Sequence, residues 1–208
     1  LIDKYGLTEP EDWETFKEFL TELAKVQGET GVIALNTNAN RNQTLEPYLQ
    51  AKGYDYFTEG FDYFYNAENK EELPAWDSVI YLYTSDLYLE YAKEMAELAK
   101  AGVWSKDAIN DTNDATAYFE NGTSGCIGWN FSAIDAGEKM EKAGLGTFAV
   151  YDVSSDIHMA RSRYNGDMIA IATNSKQPER AALVLDYMKS DVDLNRTMLG
   201  GIRGEHWD

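Results

Sequence analysis

A single cysteine, Cys126, is all the thiol chemistry the chain holds, so no internal disulfide can form and cysteine usage is silent on compartment. Cys126 lies among apolar residues, where a thiol behaves as a small inert hydrophobe. Histidine is almost as scarce: His158 and His206 stand alone, and neither belongs to a metal-ligand spacing. No metal site and no cofactor is therefore expected. No nucleophile elbow and no phosphate-cradling loop occurs, because the glycines of "NGTSG" lack the lysine that would pair with phosphate. No run approaches the roughly 20 apolar residues of a membrane-spanning helix. Basic residues are few, with Lys+Arg 18 against Asp+Glu 36 and a formal net charge of -18. Such a surface repels a phosphate backbone, which excludes nucleic acid as a partner, and it disfavours anionic solutes and anionic lipid alike. No internal repeat and no low-complexity linker is visible.

Present instead are acid and aromatic rings. Hydrophobic residues make up 44% and aromatics 13%, including 14 tyrosines and 5 tryptophans. The 208 residues suit one large domain or two small ones. Tyrosine and tryptophan combine a flat apolar face with a polar edge, so they serve cores and carbohydrate-like ligands equally. The sequence begins at Leu1 without Met and reads as a trimmed piece of something longer, so a missing leader carries no weight.

Helical and extended patterns alternate. "LTEPEDWETFKEFLTELAKVQG" predicts a helix with a Thr8–Glu11 capping box, an inward stripe of Trp13, Phe16, Leu20 and Leu23, and a stop at Gly28. "GVIALN" reads as a short buried strand, and "QTLEPYLQAKG" as a helix with Leu45, Tyr48 and Leu49 inward. A hairpin or extended arm fits "YDYFTEGFDYFYNAENK". A strand in "DSVIYLYTSD" then leads to a Ser85- or Asp86-capped helix with Leu87, Tyr91, Met95 and Leu98 on one stripe. A short helix in "DATAYFENG", a strand from Gly125 to Trp129 and a helix in "SAIDAGEKMEKAG" follow. Further strands are expected in "GTFAVYDV" and "GDMIAIAT". A helix with Ala181, Leu185 and Met188 buried comes next, and a last helix breaks at Gly200-Gly201. The alternation signals an α/β layered fold. "DVDLN", Asp191 to Asn195, imitates a calcium loop, but Arg196 replaces its glycine and Ile202 its bidentate glutamate.

Three segments in order resemble one family: "YGLTEPEDWETFKEFLTELAK", then "YLEYAKEMAELAKAGVWSKDAINDTNDATAYFENGTSGCIGWN", then "NGDMIAIATNSKQPERAALVLDYMKSDVDLNRTMLGGIRGEHWD". The shared pattern runs through Gly6, Pro10 and Trp13, through Leu98, Gly102 and Asp107, and through Phe119 and Gly122. It is similar to that of the extracytoplasmic solute-binding proteins of ABC importers, in the branch that includes sugar and oligosaccharide binders. The closing "GGIRGEHWD" is similar to the tail of a lipoprotein subgroup common in Gram-positive gut bacteria, with Arg203 in place of the usual acidic residue.

The resemblance implies a type 2 periplasmic-binding-protein-like lobe, with helices layered around a mixed sheet and two lobes closing like a hinged clamp. Residues 1–162 would form the ligand-binding lobe, residues 163–172 a hinge-crossing strand, and residues 173–208 a helical part of the other lobe. It also implies a non-enzymatic, extracytoplasmic receptor, membrane-tethered as a lipoprotein and monomeric. Its partners would be a small solute, a sugar by preference, and the membrane subunits of an ABC permease.

Each candidate contact has an ordinary alternative. Trp129 and Asn130 would stack on and hydrogen-bond a sugar ring, or else be a core tryptophan and a helix cap. Tyr164 and Asn165 line the hinge crossing or form a plain turn before Gly166. Arg163 holds a ligand carboxylate or a surface ion pair. Trp76 is a cleft aromatic or a loop anchor. Asn36, with Thr37 and Asn38, binds hydroxyls or makes a turn. Glu205, His206 and Trp207 are expected to stabilise the lobe. Two rival functions remain at this stage: a glycan-processing enzyme fragment, needing two carboxylates about 5–10 Å apart beside aromatics, and a cell-surface interaction domain, needing an exposed aromatic patch.

Overall fold

The computed structural model describes residues 1–36, 42–56, 62–68, 78–128, 132–153 and 169–207. The chain divides into two compact units, Leu1–Ala160 and Arg161–Asp208.

The first unit is organised around helix α2, Trp13–Lys25, which follows a short turn of helix, α1, Ile2–Tyr5. The capping box of α2 differs from the expected one. Asp12 accepts from the Thr15 backbone N–H at 2.8 Å, and Thr15 Oγ1 accepts from the Asp12 N–H at 2.9 Å. Thr8 is drawn elsewhere, its N–H donating to Glu22 at 2.7 Å. Asp12 wins because it stands directly before the first inward residue, Trp13, whereas Thr8 lies on the far side of Pro10. Gly28 does not end the helix. α2 closes at Lys25, and Gly28 lies inside a second short piece, α3, Gln27–Thr30, which stops at Gly31. The inward stripe is as read: Trp13, Phe16, Leu20 and Leu23 are buried, joined by Phe19.

Helix α4, Asn42–Ala51, is more deeply enclosed than a one-sided pattern suggests. Leu45, Tyr48 and Leu49 are buried as expected, and Gln43, Thr44 and Gln50 go in with them. Thr44 finds a partner there, its Oγ1 lying 2.7 Å from the Tyr91 hydroxyl. The hairpin is present as β1, Tyr54–Tyr56, antiparallel to β2, Tyr63–Asn66, with β3, Ile80–Tyr81, on the other side of β2. Phe64 and Tyr65 of β2 are buried, and Phe64 meets Tyr54 edge to face. A 3-10 turn, Leu82–Thr84, then delivers the chain to Ser85, which caps α5, Asp86–Ala101. Tyr91 and Leu98 of its stripe are buried, and Leu87 and Met95 are half-buried against the same core. Gly102 ends α5 at φ 83, a left-handed conformation that costs glycine nothing.

α5 is fastened to α2 by one carboxylate. Glu94 Oε2 accepts from Trp13 Nε1 at 2.8 Å and from Lys17 Nζ at 2.8 Å. Burial opposes its charge, yet the Lys17 and Trp13 hydrogen bonds outweigh that and hold the carboxyl below its ordinary range. Two short helices follow, α6, Ala115–Glu120, capped by Asp114, and α7, Ser132–Lys142.

Between them the expected strand from Gly125 is reduced to a parallel bridge, Ile33 to Ser124. The expected strand in "GVIALN" is likewise reduced to that contact. The described part of "GTFAVYDV" is not strand either. Among the described residues it has no ladder partner, and Phe148 instead covers Gly137 of α7, where an added Cβ would come within 2.5 Å of the ring. An extended segment without a neighbour gains no ladder hydrogen bonds, so its β-type composition does not suffice. The described residues thus combine helices with a small antiparallel sheet and an isolated parallel bridge, a mixed arrangement consistent with an α/β fold.

The second unit contains α8, Pro178–Ser190, and α9, Val192–Gly200. The described part of "GDMIAIAT", from Ile169, is irregular rather than strand. Asp191 caps α9, accepting from the Leu194 N–H at 2.8 Å, which gives "DVDLN" a structural role. Asn195 Nδ2 donates back to the Met188 carbonyl at 3.2 Å. Ala181, Leu185 and Met188 are only half-buried, because no residue of the described part of this unit is enclosed. Ile169, Ala172, Val184 and Leu185 line an apolar groove of about 580 Å³. At the end, Trp207 Nε1 donates to the Gly201 carbonyl at 3.0 Å, and the Arg203 guanidinium lies 5.5 Å from the Trp207 ring centre. The departure at Arg203 thus closes its turn by stacking.

Candidate functional site

Most predicted contacts, namely Trp76, Trp129, Asn130, Arg163, Tyr164 and Asn165, with Thr37 and Asn38, lie outside the described residues. Asn36 lies inside them, and the chain around it is informative. Segments 33–36 and 123–128 run side by side in parallel. Ile33 N–H donates to the Thr123 carbonyl at 3.0 Å, Gly125 N–H to Ile33 at 2.8 Å, and Cys126 N–H to Ala34 at 3.1 Å. On its other edge the first segment is held by Leu35 N–H on the Val103 carbonyl, 3.0 Å, just past the glycine stop of α5. Close approach is built in. A Cβ on Gly125 would lie 2.2 Å from Leu23 Cδ2 and 3.2 Å from the Ala34 carbonyl.

At the carboxyl ends of these segments side chains take over from the ladder. Asn36 N–H donates to Ser124 Oγ at 2.9 Å, and Ser124 Oγ donates onward to the Cys126 carbonyl at 2.8 Å. Gly128 N–H donates to the side-chain carbonyl of Gln43, in the first turn of α4, at 3.0 Å. Gly128 has to be glycine for that approach, since a Cβ would stand 2.7 Å from the Gln43 carbonyl oxygen and 3.1 Å from its Cα. Among the described residues, Asn36 Oδ1 and Gln43 Nε2 are buried without a hydrogen-bond partner, in residues only 6% and 3% exposed respectively. A buried polar group left unpaired costs about 1–3 kcal/mol, so a ligand-free protein tolerates it only for a reason.

Cys126 lies in the same place and adds no reactivity. Its thiol donates to the Ala34 carbonyl at 3.3 Å, and burial pushes it up to about 12. A nucleophilic thiolate is thereby suppressed.

Gln43 escaped the sequence reading. It stands on the wrong side of the Leu45–Tyr48–Leu49 stripe, and periodicity cannot see that α4 is enclosed on more than one face. The only signal available was a carboxamide opening a helix shortly after a buried strand.

Two other features compete for attention. Asp107, Asn110, Asp111, Thr112, Asn113 and Tyr118 surround a hollow of about 310 Å³. One of its two acids is already committed: Asp111 accepts from the Tyr118 hydroxyl, from Asn113 Nδ2 at 2.8 Å and from the Asn113 N–H at 2.9 Å. The Tyr118 hydrogen bond leads in holding its carboxyl below the usual range. The second is a file of rings, Tyr63, Tyr81, Tyr83, Tyr88, Tyr91, Tyr48 and Trp13, with successive centroids 5.1 to 6.0 Å apart. It leads from exposed tyrosines to the buried indole and extends the core outward.

No cluster of His, Cys, Asp or Glu suited to a metal exists among the described residues. What the Asn36 region offers is neutral hydrogen bonding at the carboxyl ends of parallel segments, the place where α/β proteins take ligands. The family model for bacterial extracellular solute-binding proteins matches residues 1–193. The chain belongs to that family. No curated protein and no solved structure matches it. As a solute-binding protein it is an extracytoplasmic receptor of ABC transport, with a small-molecule solute and an ABC permease as its partners. Proteins of this kind are generally not enzymes.

Proposed function

We propose that this solute-binding protein captures a neutral, hydroxyl-rich solute, a carbohydrate or oligosaccharide, and presents it to an ABC importer without altering it chemically. The observation that carries the carbohydrate reading is two neutral amides, Asn36 at the end of one parallel segment and Gln43 bonded to Gly128 at the end of the other, each with one buried atom unpaired. Hydroxyls both donate and accept, and neutral amides match them without the desolvation cost of a buried charge. The chain's charge of -18 works against an anionic solute.

In this reading Trp129 and Asn130, which follow Gly128 directly in sequence, supply the ring stack and a further hydrogen-bonding arm. Arg163, Tyr164, Asn165 and Trp76 complete the solute's surroundings. Residues 1–162 act as a type 2 periplasmic-binding-protein-like lobe, residues 163–172 as the hinge crossing, and residues 173–208 as part of the other lobe. Closure follows because the solute binds the closed form better, the only way a ligand shifts such an equilibrium. The receptor is a monomer tethered to the cell surface as a lipoprotein of the Gram-positive type.

Titration calorimetry on the full-length protein tests this, with neutral mono- to trisaccharides, dipeptides, and sugar acids as three arms. Binding is expected in the saccharide arm alone, weakened about tenfold by Trp129→Ala. Binding confined to dipeptides or sugar acids would refute the carbohydrate reading.

A further inference from the structure

The closing stretch "GGIRGEHWD" takes no part in the site above, and its His206 is the one histidine among the described residues. Helix α9 ends at Gly200, and Gly201–Trp207 folds back on that end. One residue holds Ile202 at both its polar groups. The His206 N–H donates to the Ile202 carbonyl at 2.9 Å, and the Ile202 N–H donates to His206 Nδ1 at 3.0 Å. The ring approaches so closely that a Cβ on Gly201 would stand 2.7 Å from His206 Cγ. Trp207 is braced on the same stretch. Its Nε1 donates to the Gly201 carbonyl at 3.0 Å, its own carbonyl accepts from the Gly204 N–H at 2.7 Å, and the Arg203 guanidinium lies 5.5 Å from its ring centre.

We infer that this turn is a pH-sensitive latch, closed while His206 Nδ1 keeps its lone pair and opened when the imidazole takes up a proton. A ring nitrogen accepts an N–H only when it carries no hydrogen itself, so the closed turn requires neutral imidazole with its hydrogen on Nε2. An imidazolium donates from both nitrogens. Its Nδ1–H would meet the Ile202 N–H donor against donor, and the Ile202 N–H would pass to water. Trp207, seated on the neighbouring Gly201 carbonyl, loses its bracing with it. Imidazole is the side chain whose charge ordinarily changes between about pH 5 and pH 8. The family is extracytoplasmic, so the pH that reaches His206 is that of the cell's surroundings.

The charges nearby do not reverse the sign. Arg203 and Glu205, in the turn itself, are exposed and opposite in sign, and both act through screening water. On α9, Arg196 stands about one turn before the helix end and opposes a further positive charge, while Asp193 belongs to the first turn. Asp208, next in sequence to Trp207, lies outside the described residues. The carboxyl end of α9 favours a cation, by an amount that exposure and salt reduce. These charges act over distance and weakly, whereas the Ile202 hydrogen bond needs one lone pair in one place, and protonation abolishes it. The stability that bond lends is therefore complete while the imidazole is neutral and is lost on acidification.

Nuclear magnetic resonance on the 15N-labelled full-length protein, from pH 8 to pH 5, tests the latch. At pH 8 the ring nitrogens of His206 should report the Nε2–H form. On acidification the protection of the Ile202 amide, corrected for the intrinsic pH dependence of exchange, should fall about fivefold or more, the worth of one hydrogen bond. The Trp207 indole N–H resonance should move with the same midpoint as the His206 ring. His206→Phe keeps a ring against Gly201 but has no acceptor, so it should leave Ile202 weakly protected at pH 8 and erase the pH dependence. An Nδ1–H form at pH 8 overturns the latch. So does an Ile202 amide or a Trp207 indole that stays unchanged while His206 titrates. The deciding readouts come from wild type, so they stand even where the variant folds poorly, and they are independent of which solute the receptor takes.

Discussion

Helices α2 and α8 are each 13 residues long, each opens near a proline and each carries an apolar stripe at helical spacing, yet they end in opposite states. α2 buries five side chains, two of them to 0% exposure, and is bracketed by α4, α5 and a carboxylate clasp. α8 buries none; Leu183, on the stripe's shoulder, is 69% exposed. An amphipathic pattern specifies that a face wants cover, and it does not supply the cover. The first unit surrounds its stripe with its own elements. Among the described residues, the second offers α8 the irregular segment from Ile169 and helix α9, whose Val192, Met198 and Leu199 are themselves exposed.

The contrast can be broken most forcefully at matched leucines. Leu20→Ala in α2 should cost about 3 kcal/mol, the transfer loss plus an unfilled cavity. Leu185→Ala in α8 should cost less than about 1 kcal/mol. Hydrogen exchange read separately on α2 and α8 peptides across a urea series measures both; equal losses would erase the distinction.

A smaller effect belongs to the clasp. Glu94→Gln removes the charge that Lys17 and Trp13 both address, for about 1 kcal/mol in the first unit. The native carboxyl is held below its unfolded value, so its contribution is complete above the unfolded glutamate pKa of about 4.3 and fades as pH falls through the lower native value. Wild type should therefore lose its advantage over the glutamine variant on acidification, as thermal melts between pH 7 and pH 3 would show. An advantage independent of pH would mean that the clasp works by packing alone.

The smallest effect should come from Leu199→Ser. At 84% exposure it should shift stability by no more than about 0.5 kcal/mol. A loss well above 1 kcal/mol would show that this face is covered in solution, and the two units would then differ less than they appear to in isolation.

The longer helices of both units were legible because 3.6-residue spacing acts within one stretch of chain, joined in α5 by the Ser85 cap and the Gly102 stop. Even there, the choice of Asp12 over Thr8 turned on where the chain bends at Pro10. The extended segments were less legible. "GVIALN" and the run from Gly125 have β-type composition, but a strand is defined by its neighbour, and only one parallel bridge joins them. "GTFAVYDV" has the same composition and no ladder partner among the described residues. For the candidate site, Asn36 could be suspected from its place after a buried run, whereas Gln43 could not, because its burial depends on what closes over α4.

Charge, ring content and the dearth of histidine and cysteine were settled by the amino-acid sequence alone, and with the single cysteine the exclusion of an internal disulfide. So was the order of the helices, since each is encoded locally. The tertiary structure alone decided which amphipathic faces are covered and which carboxamides are enclosed with one atom unspent. Those properties arise between segments far apart in the chain, Asn36 with Ser124 and Gln43 with Gly128, and local residue preferences carry no information about which distant segment will arrive.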